Sequence, residues 1–271
     1  MAEFFVDKSV VLGGAIGQSG FIPGPAFDPV SLITGAGGFW RADKGVTQSS
    51  GNVTAWADQS LFGQNLSPSA TAPTWSATGF KSAFPGVAFT SANTEYMTSS
   101  SFSFSNSATS SGFIMFYYTV TTIPGNTGLF SLVGTAGSND FNDPHSVANT
   151  ASSSSGGHEL AANYSANALL DNVVPSSATG AAGLIGFTLS SSTLTQWANG
   201  SSVNSEANST ASLGGAGSLV FAIGTRISSG TTLSSSSDCV VAFCGITQKL
   251  MNSTDWTNLK NWSNANWGTS F

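Results

Sequence analysis

Apolar residues along this chain come in short bursts, each interrupted by Gly, Ser, Thr or Asn. The first burst with a strand signature is Val53-Thr54-Ala55-Trp56-Ala57, and Val87-Ala88-Phe89 follows it. The longest is Phe113-Ile114-Met115-Phe116-Tyr117-Tyr118-Thr119-Val120, rich in β-branched and aromatic side chains, as for a strand covered on both faces. Further strands are predicted at 129–133, 160–164, 184–189, 194–198, 219–224 and 239–244. After Ala198 stands Asn199-Gly200, a dipeptide that closes tight hairpins because both residues tolerate positive φ. Many short strands with almost no helical period predict an all-β sandwich or barrel.

Two stretches break this pattern. Near the end, Asn252 or Ser253 can cap a helix whose first turn holds Asp255, a carboxylate facing the positive end of the helix dipole. Trp256, Leu259 and Trp262 then fall on one face at spacings of three. One short helix docked on the sandwich is predicted there, closed by Trp267-Gly268. At the other end, residues 1–37 show no sustained period, and Pro23, Pro25 and Pro29 favour extended chain. The chain thus divides into an extended arm, 1–37, and a sandwich domain, 38–271. Phe4, Phe5, Phe21 and Phe27 make the arm an anchor, laid against its own domain or a neighbouring subunit. Four buried rings offer roughly 15 kcal/mol before ordering costs.

Composition separates this chain from disordered low-complexity segments. Gly, Ser and Thr fill 106 of 271 positions (31, 47 and 28), yet 40% of residues are hydrophobic and the formal charge is only −6. Disorder requires the reverse balance, so the chain is expected to fold. Seven basic residues scattered singly give no stripe to neutralise phosphates, so neither nucleic acid nor an anionic membrane surface is an expected partner. No apolar run approaches the ~20 residues of a membrane span, and the acidic start Met1-Ala2-Glu3 lacks the basic region of a secretory signal. Cys239 and Cys244 are five apart in one strand. An uninterrupted strand would put them on opposite faces, ~16 Å apart at ~3.3 Å per residue, beyond disulfide reach. Free buried thiols are expected, with no Cys/His cluster for a metal and no cofactor.

The order of segments resembles a known family. Phe39-Trp40-Arg41-Ala42-Asp43, then Trp56-Ala57-Asp58-Gln59-Ser60 with Gly63, is similar to the opening of the laminin-G-like branch of the concanavalin A-like lectin/glucanase superfamily. Pro73-Thr74-Trp75, Val87-Ala88-Phe89, Trp197-Ala198-Asn199-Gly200, Leu219 to Gly224 and Val240 to Phe243 continue the likeness, which covers about residues 38 to 268. It implies a two-sheet antiparallel jelly-roll sandwich with sugar-binding relatives, of the kind found in phage virion proteins. Thr90 stands where the family often has an acidic residue, which argues against calcium there. The glucanases of the superfamily use paired glutamates on one strand. Here Glu3, Glu95, Glu159 and Glu206 are each isolated, so no retaining pair is visible and no enzyme is expected.

Of the polar clusters, Asn139-Asp140-Phe141-Asn142-Asp143-Pro144-His145 is densest. Asp140, Asn142, Asp143 and His145 are the candidate ligand-binding residues, against the alternative of an Asx-turn loop. Trp40, Trp56 and Trp75 could stack on a sugar ring or pack in the core. The function expected is that of a non-enzymatic virion structural protein on the particle surface, a capsid decoration, head fibre or tail-associated protein. It would join other virion proteins through its arm, display a lectin-like domain for host-surface glycan, and form a homo-oligomer. The alternatives are a secreted, extracellular carbohydrate-binding module or lectin, and a divergent polysaccharide hydrolase or lyase.

Overall fold

The computed structural model describes residues 27–104, 109–120, 127–134, 147–151, 158–162, 168–172, 182–207, 218–229, 232–234 and 236–271. The strands run in chain order as β1 (Gly38–Arg41), β2 (Val46–Ser49), β3 (Asn52–Trp56), β4 (Leu66–Pro68), β5 (Thr74–Phe80), β6 (Phe84–Phe89) and β7 (Met97–Ser99). Next come β8 (Ser110–Tyr118), β9 (Gly128–Gly134), β10 (Val147–Ala151), β11 (His158–Ala162), β12 (Ala168–Asn172) and β13 (Ala182–Leu189). The last are β14 (Thr193–Ala198), β15 (Ser201–Ala207), β16 (Leu219–Ile223), β17 (Arg226–Ser229), β18 (Thr232–Ser234) and β19 (Cys239–Thr247). Helix α1 spans Ser253–Trp267.

Strand β19 is the hub of one sheet. One of its edges pairs with β6 at Cys239–Val241 and with β1 at Phe243–Ile246, and the other runs along β8. Strands β13, β14 and β15 continue outward from β8, while β5 lies beyond β6. The second sheet runs β2-β3-β4-β7-β16-β9-β10-β11-β12, and β3 also touches β5 at Asn52 and Thr74. All these pairings are antiparallel. The result is an all-β jelly-roll sandwich with a single C-terminal helix.

Two buried clusters hold it together. Between the sheets, Ile114, Phe116 and Tyr118 of β8 and Ile185, Phe187 and Leu189 of β13 meet Phe130 and Leu132 of β9 and Leu219, Phe221 and Ile223 of β16. Trp40 stacks on Phe221 at 5.3 Å, and Phe130 on Phe187 at 6.0 Å. The alternate residues Phe113 and Met115 face outward under α1, with Phe39, Trp256, Leu259 and Trp267. A sheet with both faces covered needs apolar residues at consecutive positions, which is why β8 reads as an unbroken run.

The cysteines depart from the sequence expectation. Both Cys239 and Cys244 are free and lie in the inter-sheet cluster, although five positions separate them. The pairing of β19 with β8 shifts register between Val241 and Phe243, leaving Ala242 as an extra residue. This bulge reverses the alternation, so Val240, Ala242 and Phe243 face the helix layer while Cys239, Val241, Cys244 and Ile246 face the core.

At the Asn199-Gly200 turn both residues have positive φ (49° and 84°), and Ala198 pairs with Ser201. The helix is capped by Asn252, whose side chain accepts from the N–H groups of Thr254 and Asp255 while Asp255 accepts from the Asn252 N–H. Gly268 ends it at φ 56°.

Of the anchor aromatics, Phe4, Phe5 and Phe21 lie outside the described residues. Phe27 is half-buried against the helix-side cluster of its own domain. A short 3-10 turn at Pro29–Leu32 buries Leu32, with Ile33 behind it. The Thr247 hydroxyl donates to the Leu32 carbonyl and accepts from the Thr34 N–H. Residues 27–37 are therefore built into the sandwich rather than standing off it.

Candidate functional site

The cluster Asp140, Asn142, Asp143 and His145 lies outside the described residues. Trp40 and Trp56 are fully buried, their indole N–H groups donating to the carbonyls of Gln64 and Arg41. Trp75 is half-buried and donates to the Ala42 carbonyl. These three rings fix strands to one another, the packing role weighed from the sequence. Among the described residues, no three His, Cys, Asp or Glu side chains gather as a metal site. No helix there is long and apolar enough to cross a membrane.

The motif Asp58-Gln59-Ser60 with Gly63 shapes a loop. Asp58 accepts from the Phe39 and Ser60 N–H groups through one carboxylate oxygen, and from the Ser60 hydroxyl and Gln64 N–H through the other. The loop presents Leu61, 97% exposed, and Phe62, 41% exposed.

A groove on the helix-bearing face of the first sheet is the candidate site. Register sets its floor as two rows across β13, β14 and β15: Thr188, Thr195 and Ser205 lie side by side, and so do Gly186, Trp197 and Ser202. Between the rows, β15 carries one extra residue, Val203, opposite the step from Gln196 to Trp197. A bulge of this kind bends an edge strand and re-aims its side chains. The opening beside it, about 550 Å3, is lined by Thr195, Trp197, Ser202, Val203, Asn204 and Ser205. At Thr195 it meets a second hollow of about 300 Å3, bounded by Thr188, Ser190, Thr193 and the Leu250-Met251-Asn252 turn before α1.

Trp197 is the apolar element of this floor. Its ring stacks on Trp256 of α1 at 5.2 Å, its N–H donates to the Thr188 hydroxyl at 3.1 Å, and 9% of the residue is exposed. Asn204 accepts from the Ser205 N–H, which leaves its amide NH2 as a donor. The hydroxyls of Thr195, Ser202 and Ser205 make no hydrogen bond within the described residues. Among the described residues the lining carries no carboxylate or imidazole, so the groove offers hydrogen bonds and apolar contact. Sequence reading missed it because its residues are individually ordinary; only register and the bulge assemble them.

Register also places Glu159 of β11 directly opposite Asp171 of β12. These positions are twelve apart in sequence, so no local motif announces the pair.

No family model matches the sequence, and no curated protein matches it. Similarity appears with solved structures. Domain 4 of AbnA, a GH43 extracellular arabinanase from Geobacillus stearothermophilus in complex with arabinotriose, superposes with a TM-score of 0.60 at 11% identity, covering 82% of this chain and 97% of that one. The botulinum neurotoxin serotype G binding domain gives 0.59 at 11% identity, over 86% of this chain and 52% of that one. Trypanosoma rangeli sialidase in complex with sialic acid gives 0.52 at 12% identity, over 86% and 33%. At these identities the likeness is one of fold: this chain is similar to nearly the whole of the arabinanase domain, half of the neurotoxin domain and a third of the sialidase.

Proposed function

We propose that the sandwich is a non-catalytic carbohydrate-binding module whose site is the groove over Thr195 and Trp197. The observation that carries this reading is that the hydroxyls of Thr195, Ser202 and Ser205, without hydrogen bonds among the described residues, share one sheet surface with an amide and a tryptophan edge. Sugars present hydroxyls that both donate and accept, and C–H faces that pack on aromatic rings. The sandwich also shares its shape with an arabinanase domain seen with arabinotriose. Retention of the protein on polysaccharide-containing native gels tests this. The expected result is retardation by at least one polysaccharide, lost in Ser205→Trp with an unchanged circular dichroism spectrum, and no release of reducing ends. Release of reducing ends would replace the module with a hydrolase.

For the chain as a whole, the proposal is a virion structural protein that displays this module on the particle surface. Its support is the aromatic and proline content of residues 1–26, immediately ahead of the point where the chain joins the sandwich. Deleting residues 1–26 is expected to leave a folded, sugar-binding domain that no longer co-purifies with particles. Undiminished incorporation would leave the extracellular module as the reading.

A further inference from the structure

Resting on that reading, we infer that the groove takes uncharged polysaccharide and rejects acidic glycans such as uronate or sialate polymers. The floor hydroxyls of Thr195, Ser202 and Ser205 and the Asn204 amide are neutral, and so is Trp197 between them. Neither Lys249 nor Lys260 lines the groove. Lys249, in the turn before α1, is paired with Asp255 at 2.7 Å. Lys260 lies along the hairpin tip, so close that a Cβ on Gly200 would sit 2.7 Å from its Cδ. A sugar carboxylate bound here would lose water without meeting a cation in the described lining, whereas a neutral sugar exchanges hydroxyl–water bonds for hydroxyl–hydroxyl bonds at little cost.

The strand spacing adds a geometric element. Thr188, Thr195 and Ser205 sit on successive strands, so their positions repeat every ~4.8 Å across the sheet. This places hydroxyls along a line across the sheet that suits an extended chain of neutral sugars.

The test uses the full chain on affinity gels containing arabinan, galactan, mannan or mixed-linkage glucan as neutral probes, and polygalacturonate, hyaluronan or polysialic acid as acidic ones. Retention is measured at 50 and 500 mM NaCl. The inference expects at least one neutral polymer to retain the protein, with less than about a twofold change between the two salt levels, because no ion pair is there to be screened. Ser205→Trp is expected to abolish that retention. Retention confined to acidic polymers and falling about tenfold with salt would overturn the inference and leave the carbohydrate-binding reading standing. Failure of all the probes would overturn both. Neutral retention unchanged in Ser205→Trp would move the site away from this groove and overturn the assignment.

Discussion

Trp197 of β14 and Trp256 of α1 lie face to face, with ring centroids 5.2 Å apart and planes 6° from parallel. The stack joins the floor of the groove to the helix. It exists because Gly186, beside Trp197, has no side chain: a Cβ there would lie 2.4 Å from the Trp256 ring and 2.1 Å from the Gly112 carbonyl oxygen. Gly186→Ala is therefore expected to displace the helix, since backbone blocks the other direction of relief. Trp256→Ala should cost about 3–5 kcal/mol, the usual range for deleting a buried tryptophan. Urea unfolding followed by tryptophan fluorescence measures both. Loss of sugar retention in Gly186→Ala, in a protein that still gives a sandwich circular dichroism spectrum, would connect helix position to groove shape.

Asp58 and Leu61 sit three residues apart in one loop and should behave oppositely. Asp58→Ala removes acceptors for four hydrogen bonds, one tying the loop to β1 and three holding the loop's own shape, and bonds to a carboxylate are the strong kind. A loss of about 2–4 kcal/mol is expected, given ~1–3 for each unsatisfied group that solvent does not reach. Leu61→Ser should stay within about 0.5 kcal/mol, because Leu61 is almost wholly in solvent. Paired denaturation curves decide it, and equal losses would show that the loop is held by its apolar tip instead.

At the start of α1, Asn252→Ala removes the acceptor for the N–H groups of Thr254 and Asp255. About 1 kcal/mol of stability should go with it. The double variant with Asp255→Ala also loses the bond back to the Asn252 N–H and the pair with Lys249, so the two losses should not add. A thermal melt of the four species of this cycle measures the coupling.

Much of the sandwich was legible in the chain because its central strands are buried on both faces. The run at 113–118, the strand at 184–189 and the cysteine strand all appear where apolar residues are consecutive. The Asn199-Gly200 turn and the helix cap were legible because each is a local bond pattern tied to particular residue types. Strands β2 and β15 were not, since Val46-Thr47-Gln48-Ser49 and Ser201–Ala207 are largely exposed and carry no buried stripe. The bulge at Ala242 left no trace in composition, so the cysteines were placed on opposite faces. The groove was invisible for the same reason: it depends on which serine lies opposite which threonine, and an extra residue at Val203 decides that.

Burial also makes the fold sensitive to alkali. Desolvation pushes the Cys239 and Cys244 thiols far above the ordinary 9.0, with the nearby Asp238 and Asp58 carboxylates adding to the respective shifts. It likewise holds the Tyr118 phenol well above 10.0, and Cys239 adds to that. In the native state these groups keep their protons where the unfolded chain gives them up, so the native state binds more protons and stability falls as pH rises. The contribution is complete below about pH 8 and begins to drain once pH passes the unfolded thiol value near 9. It continues to fall by about 1.4 kcal/mol per pH unit for each group ionised only in the unfolded chain. Urea midpoints between pH 7 and 10.5 should therefore drop steeply above pH 9. The double variant Cys239→Ala with Cys244→Ala, though less stable at pH 7, should show a shallower drop. Native protein at pH 8 should leave both thiols unmodified by a disulfide reagent until denaturant is added, whereas rapid labelling without denaturant would mean that the core around β19 opens readily.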